Sequence, residues 1–237
     1  MIHKDNQMEQ NKNMATLKFI SSRDEAGNVR TFIFETNGLT WIAGQNQGYI
    51  LPQAGKTEAE NQRWFTIASA PSEGVIHITT RVSESRFKQT LNAMKPGEEI
   101  KAYDLGGDFT WEEKSDEPVV MVAGGIGVTP FRSILLERHK AGKPLNATLL
   151  YFNRTEEVSF QTELQNLSNK HPEFTLRIAI GEPITADKIL ELAPQAKKQI
   201  LYLSGPEPMV ESIGSKLHER GITVKQDRFP GYDDKNY

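Results

Sequence analysis

The sequence contains no cysteine. That excludes a disulfide, a thiolate zinc site, a cysteine-ligated iron–sulfur cluster and a cysteine nucleophile. It also fits a reducing compartment, so a cytoplasmic location is expected. Long apolar runs are missing as well: nothing approaches the roughly 20 residues that a membrane helix needs. The opening stretch MIHKDNQMEQNKNM lacks the apolar centre of a secretory signal and reads as a polar, disordered leader over residues 1–14, with Met14 a second candidate start. Nor is there an excess of either charge. The 28 Lys and Arg stand against 31 Asp and Glu, a formal net charge of −3, which offers no general affinity for nucleic acid. The five histidines, His3, His77, His139, His171 and His218, are scattered singly, none with a His or Cys partner at ligand spacing, so no metal site is expected.

What is present is an ordinary balance for a folded chain of 237 residues, 37% hydrophobic and 25% charged, enough for one large domain or two small ones. The character of the chain changes near Pro118. Before it, TLKFIS and VRTFIFE alternate around a polar EAGN turn, and GYILP, RWFTIAS, GVIHITTRV and EEIKAYD follow. Such short segments between turns predict an antiparallel sandwich or small barrel over 15–115. Phe87, Leu91 and Met94 fall at i, i+4 and i+7 and predict one helix among them. After Pro118, apolar runs VVMVA, ATLLYF, TLRIAI and ILYLS alternate with helical patterns over 131–141, 157–169, 185–193 and 207–220. That order predicts a parallel sheet covered on both faces over 116–237.

Three stretches carry candidate chemistry. In GGIGVTP, Gly124, Gly125 and Gly127 permit positive φ and close approach of a ligand to the backbone. Thr129 suits a helix N-cap and Pro130 the first helical position, so free N–H groups would face an anion such as a pyrophosphate. A tight βα turn with no ligand accounts for the same residues. Asn153-Arg154, Gly181-Glu182 and Ser204-Gly205-Pro206 end the other strands, at the edge where open α/β sheets bind ligands. There Arg154 suits a phosphate, or a solvated surface. In RWFTIAS, the cation Arg63, the aromatics Trp64 and Phe65 and the hydroxyl of Thr66 suit a flat anionic ligand, or an edge strand over a core. Thr79-Thr80-Arg81 is a second polar strand end. Ser85 begins the helix that holds Phe87 and Lys88, another helix N-terminus beside positive charge.

Taken in order, these stretches resemble the ferredoxin–NADP reductase superfamily. Arg63 to Ser69 is similar to its R-x-[YF]-[ST]-x-x-S flavin motif, and Gly124 to Pro130 to its GG-x-G-[IV]-TP nucleotide motif. Ser204-Gly205-Pro206-Glu207-Pro208-Met209 resembles C-G-P-x-x-M, and Phe229-Pro230-Gly231-Tyr232 the F-x-G-Y terminus. The resemblance covers residues 15 to 232. It implies a Greek-key β-barrel that binds FAD tightly, followed by an α/β domain that takes NADPH or NADH as electron donor. It also implies roles: Arg63 on the FAD pyrophosphate, Phe65 stacked on the isoalloxazine, and Thr66 at flavin N5. Thr79, Thr80 and Arg81 would lie along the FAD, with Ser85, Phe87, Lys88 and Gln89 around its phosphates. Thr129 and Ser204 would meet the nicotinamide, with Gly205, Pro206 and Met209 beside them, and Phe229 would cover the other flavin face.

Four positions depart from the pattern. Phe65 replaces the commoner tyrosine, Lys88 stands where a phosphate-binding serine is usual, and Glu182-Pro183 stands where Gly-Arg is frequent. Ser204 replaces a cysteine, which implies slower hydride transfer. The expected activity is passage of hydride from NAD(P)H to FAD and then of electrons to a separate acceptor: a ferredoxin, a flavodoxin or an oxygenase component. A free-flavin or ferric reductase and a non-enzymatic flavin-binding redox sensor are the alternatives. Relatives that need a cysteine-held cluster, including the electron-transfer subunit of certain dihydroorotate dehydrogenases, are disfavoured by the missing cysteines.

Overall fold

The alternation of the first half folds as antiparallel strands in the computed structural model, which describes residues 14–111 and 117–229. The leader, the expected boundary at 115/116 and Pro230-Gly231-Tyr232 lie outside the described residues. The strands are β1 (Ala15–Ala26), β2 (Val29–Glu35), β3 (Asn46–Ile50), β4 (Gln62–Thr66), β5 (Val75–Arg81) and β6 (Glu99–Gly106), in the order β4-β3-β6-β1-β2-β5. The insertion of β6 between β3 and β1 is a Greek-key crossing. The two edges then meet. Ile67 bridges Ile78, and the Ala68 N–H bonds the His77 carbonyl at 2.9 Å, so the sheet closes into a barrel. Leu17, Phe19, Phe32, Phe34, Ile76 and Ile78, at every second position of their strands, fill its interior. Helix α1 (Arg86–Ala93) plugs one end with Phe87 and Leu91, both fully buried.

The second half is a parallel sheet of β7 (Val119–Gly124), β8 (Ala147–Asn153), β9 (Phe174–Ile180), β10 (Ile200–Pro206) and β11 (Val224–Phe229), in the order β11-β10-β7-β8-β9. Helices α2 (Thr129–Lys140), α3 (Gln161–Lys170), α4 (Ala186–Leu192) and α5 (Glu207–His218) cover it. All six residues of β7 are buried, and they divide between two cores: Met121 and Ala123 pack on one face, Val120 and Val122 on the other. The strand order reverses between β7 and β10, so the crevice that open α/β sheets use for ligands lies at the carboxyl ends of those two strands. No helix among the described residues is long and apolar enough to cross a membrane.

Three local expectations change. β11 was not among the four expected strands, because VKQDRF carries no apolar alternation; it forms as an edge strand hydrogen-bonded to β10 alone and packed under α5. The helix expected from 157 starts at Gln161: the Asn153 side-chain amide donates to the Thr155 and Glu157 carbonyls and holds that stretch as a loop, and Phe160 sits at φ 60. Thr129 is not an N-cap. A short 3₁₀ turn, Gly125–Val128, runs straight into α2, and the Thr129 hydroxyl donates back to the Ile126 carbonyl at 3.1 Å. Donors for an anion therefore belong to the glycine turn itself.

Candidate active site

Where the barrel faces the switch point of the parallel sheet, the chain forms a cleft. The barrel contributes Asn46, Trp64, Phe65, Thr66 and Thr79, and the parallel sheet Ile126, Thr129, Asp227, Arg228 and Phe229. The pleat of β4 sorts its residues. Phe65 leans on the barrel core, its ring 6.1 Å from Tyr49 and 5.9 Å from Phe87. Trp64 points the other way, 46% exposed at the mouth and edge-on to Tyr103. A wall of rings with hydroxyls at its rim suits a planar ligand with polar edges.

At the base of the cleft three polar side chains from three strands meet. Thr66 Oγ1, at the end of β4, donates to Asp227 Oδ2 at 3.1 Å, and Ser204 Oγ, on β10, donates to the same oxygen at 3.3 Å. All three are buried, Ser204 completely. Burial pushes the Asp227 carboxyl up to about 6, against the two hydroxyl hydrogen bonds that pull it down. At neutral pH it is mostly ionised and orients both hydroxyls, one from each half of the chain. Asp227 is the residue that sequence reasoning missed. A lone acid in a polar strand gives no signal of its own, and its only pointer was its place two residues before Phe229.

The remaining candidates fall into three groups. Arg81, Asn153, Arg154, Pro206 and Met209 line a second, larger cavity of about 490 Å³ beyond the carboxyl ends of β8, β9 and β10, together with Glu182. Glu182 is paired with Lys188 at 2.9 Å, and two arginines line the same cavity. Around the start of α1, Ser85 precedes the first turn, Arg63 lies 5.9 Å over the Phe87 ring, Lys88 is buried and Gln89 is exposed. Thr80 shares its strand face with Ile76 and Ile78, inside the barrel, whereas Thr79 bonds the Thr31 hydroxyl at 2.8 Å on the outer face. The third group is backbone. Gly125 has φ 52 and Gly205 φ 156. A Cβ on Gly127 would run into the Ser204 carbonyl, so the glycine turn and β10 touch main chain to main chain, with Gly124 and Pro130 buried beside them.

Residues 121–214 match the model of the oxidoreductase NAD-binding domain. Ferredoxin–NADP reductase B of Sorangium cellulosum is 33% identical over 199 residues, covering 80% of this chain and 78% of that protein. The chain belongs to the ferredoxin–NADP reductase family. That family consists of FAD-dependent NAD(P)H oxidoreductases, and the chain is one of them. A flavohemoprotein of Candida albicans is 26% identical over 196 residues, 74% of this chain, but the chain spans only about half of it, 48%. Among solved structures, the FAD/NAD-binding domain of nitric oxide dioxygenase from Vibrio cholerae superposes with a TM-score of 0.76 at 21% identity, over 92% of this chain and 99% of that one. This last likeness speaks for the fold.

The residues present fit the cofactor that the ferredoxin–NADP reductase family uses. Ser85 Oγ is buried and has no hydrogen-bond partner among the described residues, an arrangement that costs about 1–3 kcal/mol unless a ligand atom satisfies it. It lies at the amino end of α1, where the helix dipole favours an anion. A phosphate oxygen there and a flat ring against the aromatic wall of the cleft answer both features.

Proposed function

We propose that this chain is the reductase component of an electron-transfer pair, taking electrons from NAD(P)H and delivering them to a separate redox protein such as a ferredoxin, a flavodoxin or an oxygenase component. Bound FAD would supply the chemistry, accepting hydride from the nicotinamide and releasing electrons to the acceptor. The protein's own work is placement. Arg63 and Ser85 would hold the FAD pyrophosphate, and the ring of Phe65 would face the flavin. Thr66 offers its hydroxyl at the flavin edge, while Thr129 and Ser204 bound the nicotinamide site. Asp227 Oδ2 accepts from Thr66 and Ser204 together and so holds both hydroxyls in one orientation. That shared carboxylate is the observation that carries the reading, because it joins the flavin side and the nucleotide side of the cleft in a single hydrogen-bonded unit.

One relative supports a protein acceptor. A reductase subunit of a glycine betaine monooxygenase from Chromohalobacter salexigens is 24% identical over 84% of this chain, which spans 59% of it. Trp64, exposed at the mouth of the cleft, offers an aromatic contact to a docking redox protein. Arg81 and Arg154 in the larger cavity favour the 2′-phosphate of NADPH over NADH. The test is anaerobic titration of the yellow protein with each nucleotide, followed by re-oxidation with ferredoxin, flavodoxin or ferric citrate. NADPH is expected to bleach the flavin and a ferredoxin-type protein to restore the colour fastest. A flavin that neither nucleotide bleaches would sink the proposal.

A further inference from the structure

One group outside the cleft ties its two sides together. Arg132, one turn into α2, is a buried cation with 2% of its side chain exposed. All five of its N–H donors are engaged. Nη1 donates to the Ala68 carbonyl at 2.7 Å and to Glu73 Oε2 at 2.9 Å, and Nη2 to Glu73 Oε1 at 3.0 Å. Nε and Nη2 donate to Glu163 at 2.6 and 3.0 Å. The guanidinium carbon also lies 5.0 Å over the Phe160 ring. The next residue, Ser133, donates to the Ser69 carbonyl at 2.6 Å. Ala68, Ser69 and Glu73 belong to the barrel, Glu163 and Phe160 to the nucleotide side.

The position of this clamp matters more than its strength. Arg132 and Ser133 follow Thr129 by three and four residues on one rigid helix. Ala68 and Ser69 follow Thr66 by two and three. Thr66 in turn bonds Asp227, Asp227 bonds Ser204, and the Ser204 carbonyl abuts Gly127, which leads back to Thr129. The contacts form a closed ring around the cleft, and on its far side Arg132 crosses to Ala68 and Glu73, Ser133 to Ser69, and the Ser72 N–H to Glu137 of the same helix at 2.8 Å.

We propose that Arg132, with Ser133, is a positioning residue for hydride transfer: it fixes the spacing between the flavin strand and the nicotinamide turn. The proposal rests on the reductase reading above. Arginine is required because one planar fork serves two carboxylates and a carbonyl at once, which a lysine ammonium with three donors does not. A spacing error of about 1 Å lowers a transfer of this kind by about a hundredfold.

The absence of native cysteine permits a direct test. Nitroxide labels on Lys18→Cys in β1 and Lys216→Cys in α5, both exposed positions, report the distance between the two halves by pulsed electron spin resonance of the FAD-loaded full chain. Arg132→Lys is expected to broaden the distance distribution and to lower the flavin-reduction rate by about a hundredfold, with nucleotide KM within about threefold of the parent. Ser133→Ala, which removes only the hydroxyl, shifts both in the same direction by less and serves if Arg132→Lys does not fold. A slower rate with a parental distance distribution overturns the proposal, as does a parental rate and distribution in Ser133→Ala. A parent protein that NADH and NADPH both fail to bleach overturns the reductase reading instead, and the distance readout then still decides whether Arg132 sets the spacing.

Discussion

Asp227→Asn should remove a pH dependence that the wild-type protein carries. The ordinary carboxyl value is 3.8, and burial raises it to about 6 in the folded protein. A raised acid binds its proton more tightly folded than unfolded, so the group lowers stability as pH rises from 3.8 to 6 and the cost is constant above that. The two-unit difference corresponds to about 3 kcal/mol at pH 7.5, of which about 1 kcal/mol is already present at pH 4.5. Asparagine keeps the carbonyl that Thr66 and Ser204 bond and has no charge to bury. The stability of Asp227→Asn relative to wild type should therefore grow by about 2 kcal/mol between pH 4.5 and 7.5. For a domain of this size that is a relative shift in Tm of about 4–8 °C. Urea denaturation of the FAD-free proteins at the two pH values measures it directly, since every other titrating group cancels in the difference. A gap that is the same at both pH values, or wider in acid, would refute the assignment of a strained buried carboxylate.

Four further outcomes follow from the site. Arg63→Ala should weaken FAD retention at least tenfold, read by dialysis and flavin fluorescence, and leave nucleotide KM unchanged; equal FAD affinity in mutant and parent counts against its place on the pyrophosphate. Arg154→Ala should raise KM for NADPH by about tenfold and leave KM for NADH alone, and parallel changes for both nucleotides would contradict recognition of the 2′-phosphate. Ser204→Cys should speed flavin reduction in stopped flow; a lower or unchanged rate means that the serine, as held by Asp227, is no handicap. Gly127→Ala should cost about 1–3 kcal/mol in denaturant unfolding because its methyl meets the Ser204 carbonyl, and a neutral change would mean the turn has room that the structure denies.

The architecture was legible where burial writes a period into the sequence. Val119 to Ala123 is apolar throughout because both sheet faces are covered, and Phe32 and Phe34 alternate because only one side of β2 meets the core. β11 was illegible for the opposite reason. At the sheet edge under a single helix, Val224, Lys225, Gln226 and Arg228 need no apolar pattern. Barrel closure was equally silent, since it depends on the Ile67–Ile78 bridge and not on any local signal. The cap assigned to Thr129 failed because a Ser or Thr hydroxyl at a helix start can also donate backwards, and the 3₁₀ turn before it gave that hydroxyl the Ile126 carbonyl to bond. The structure brings Thr66 of one motif, Thr129 of another and Ser204 of a third around one cleft, but the motifs gave no hint of the Asp227 carboxylate that bonds Thr66 and Ser204.

The glycine turn then has two jobs of unequal visibility. Its sequence advertises anion binding, and the φ of Gly125 agrees with a turn built for backbone donors. Yet Gly127 lies against the backbone of Ser204, and no side chain fits between them. The turn is thus also the joint that holds β7 and β10 at the distance where Ser204 reaches Asp227 and Asp227 reaches Thr66. Bringing three hydroxyl and carboxyl groups from strands that are 161 residues apart in the chain, Thr66 to Asp227, onto one oxygen requires both halves to be fixed at once. Close main-chain packing does this on one side of the cleft, and the Arg132 fork with Ser133 does it on the other. Loosening either should degrade the same geometry, so Gly127→Ala and Arg132→Lys are expected to be non-additive in flavin-reduction rate, whereas each should add independently to a surface change such as Lys216→Cys.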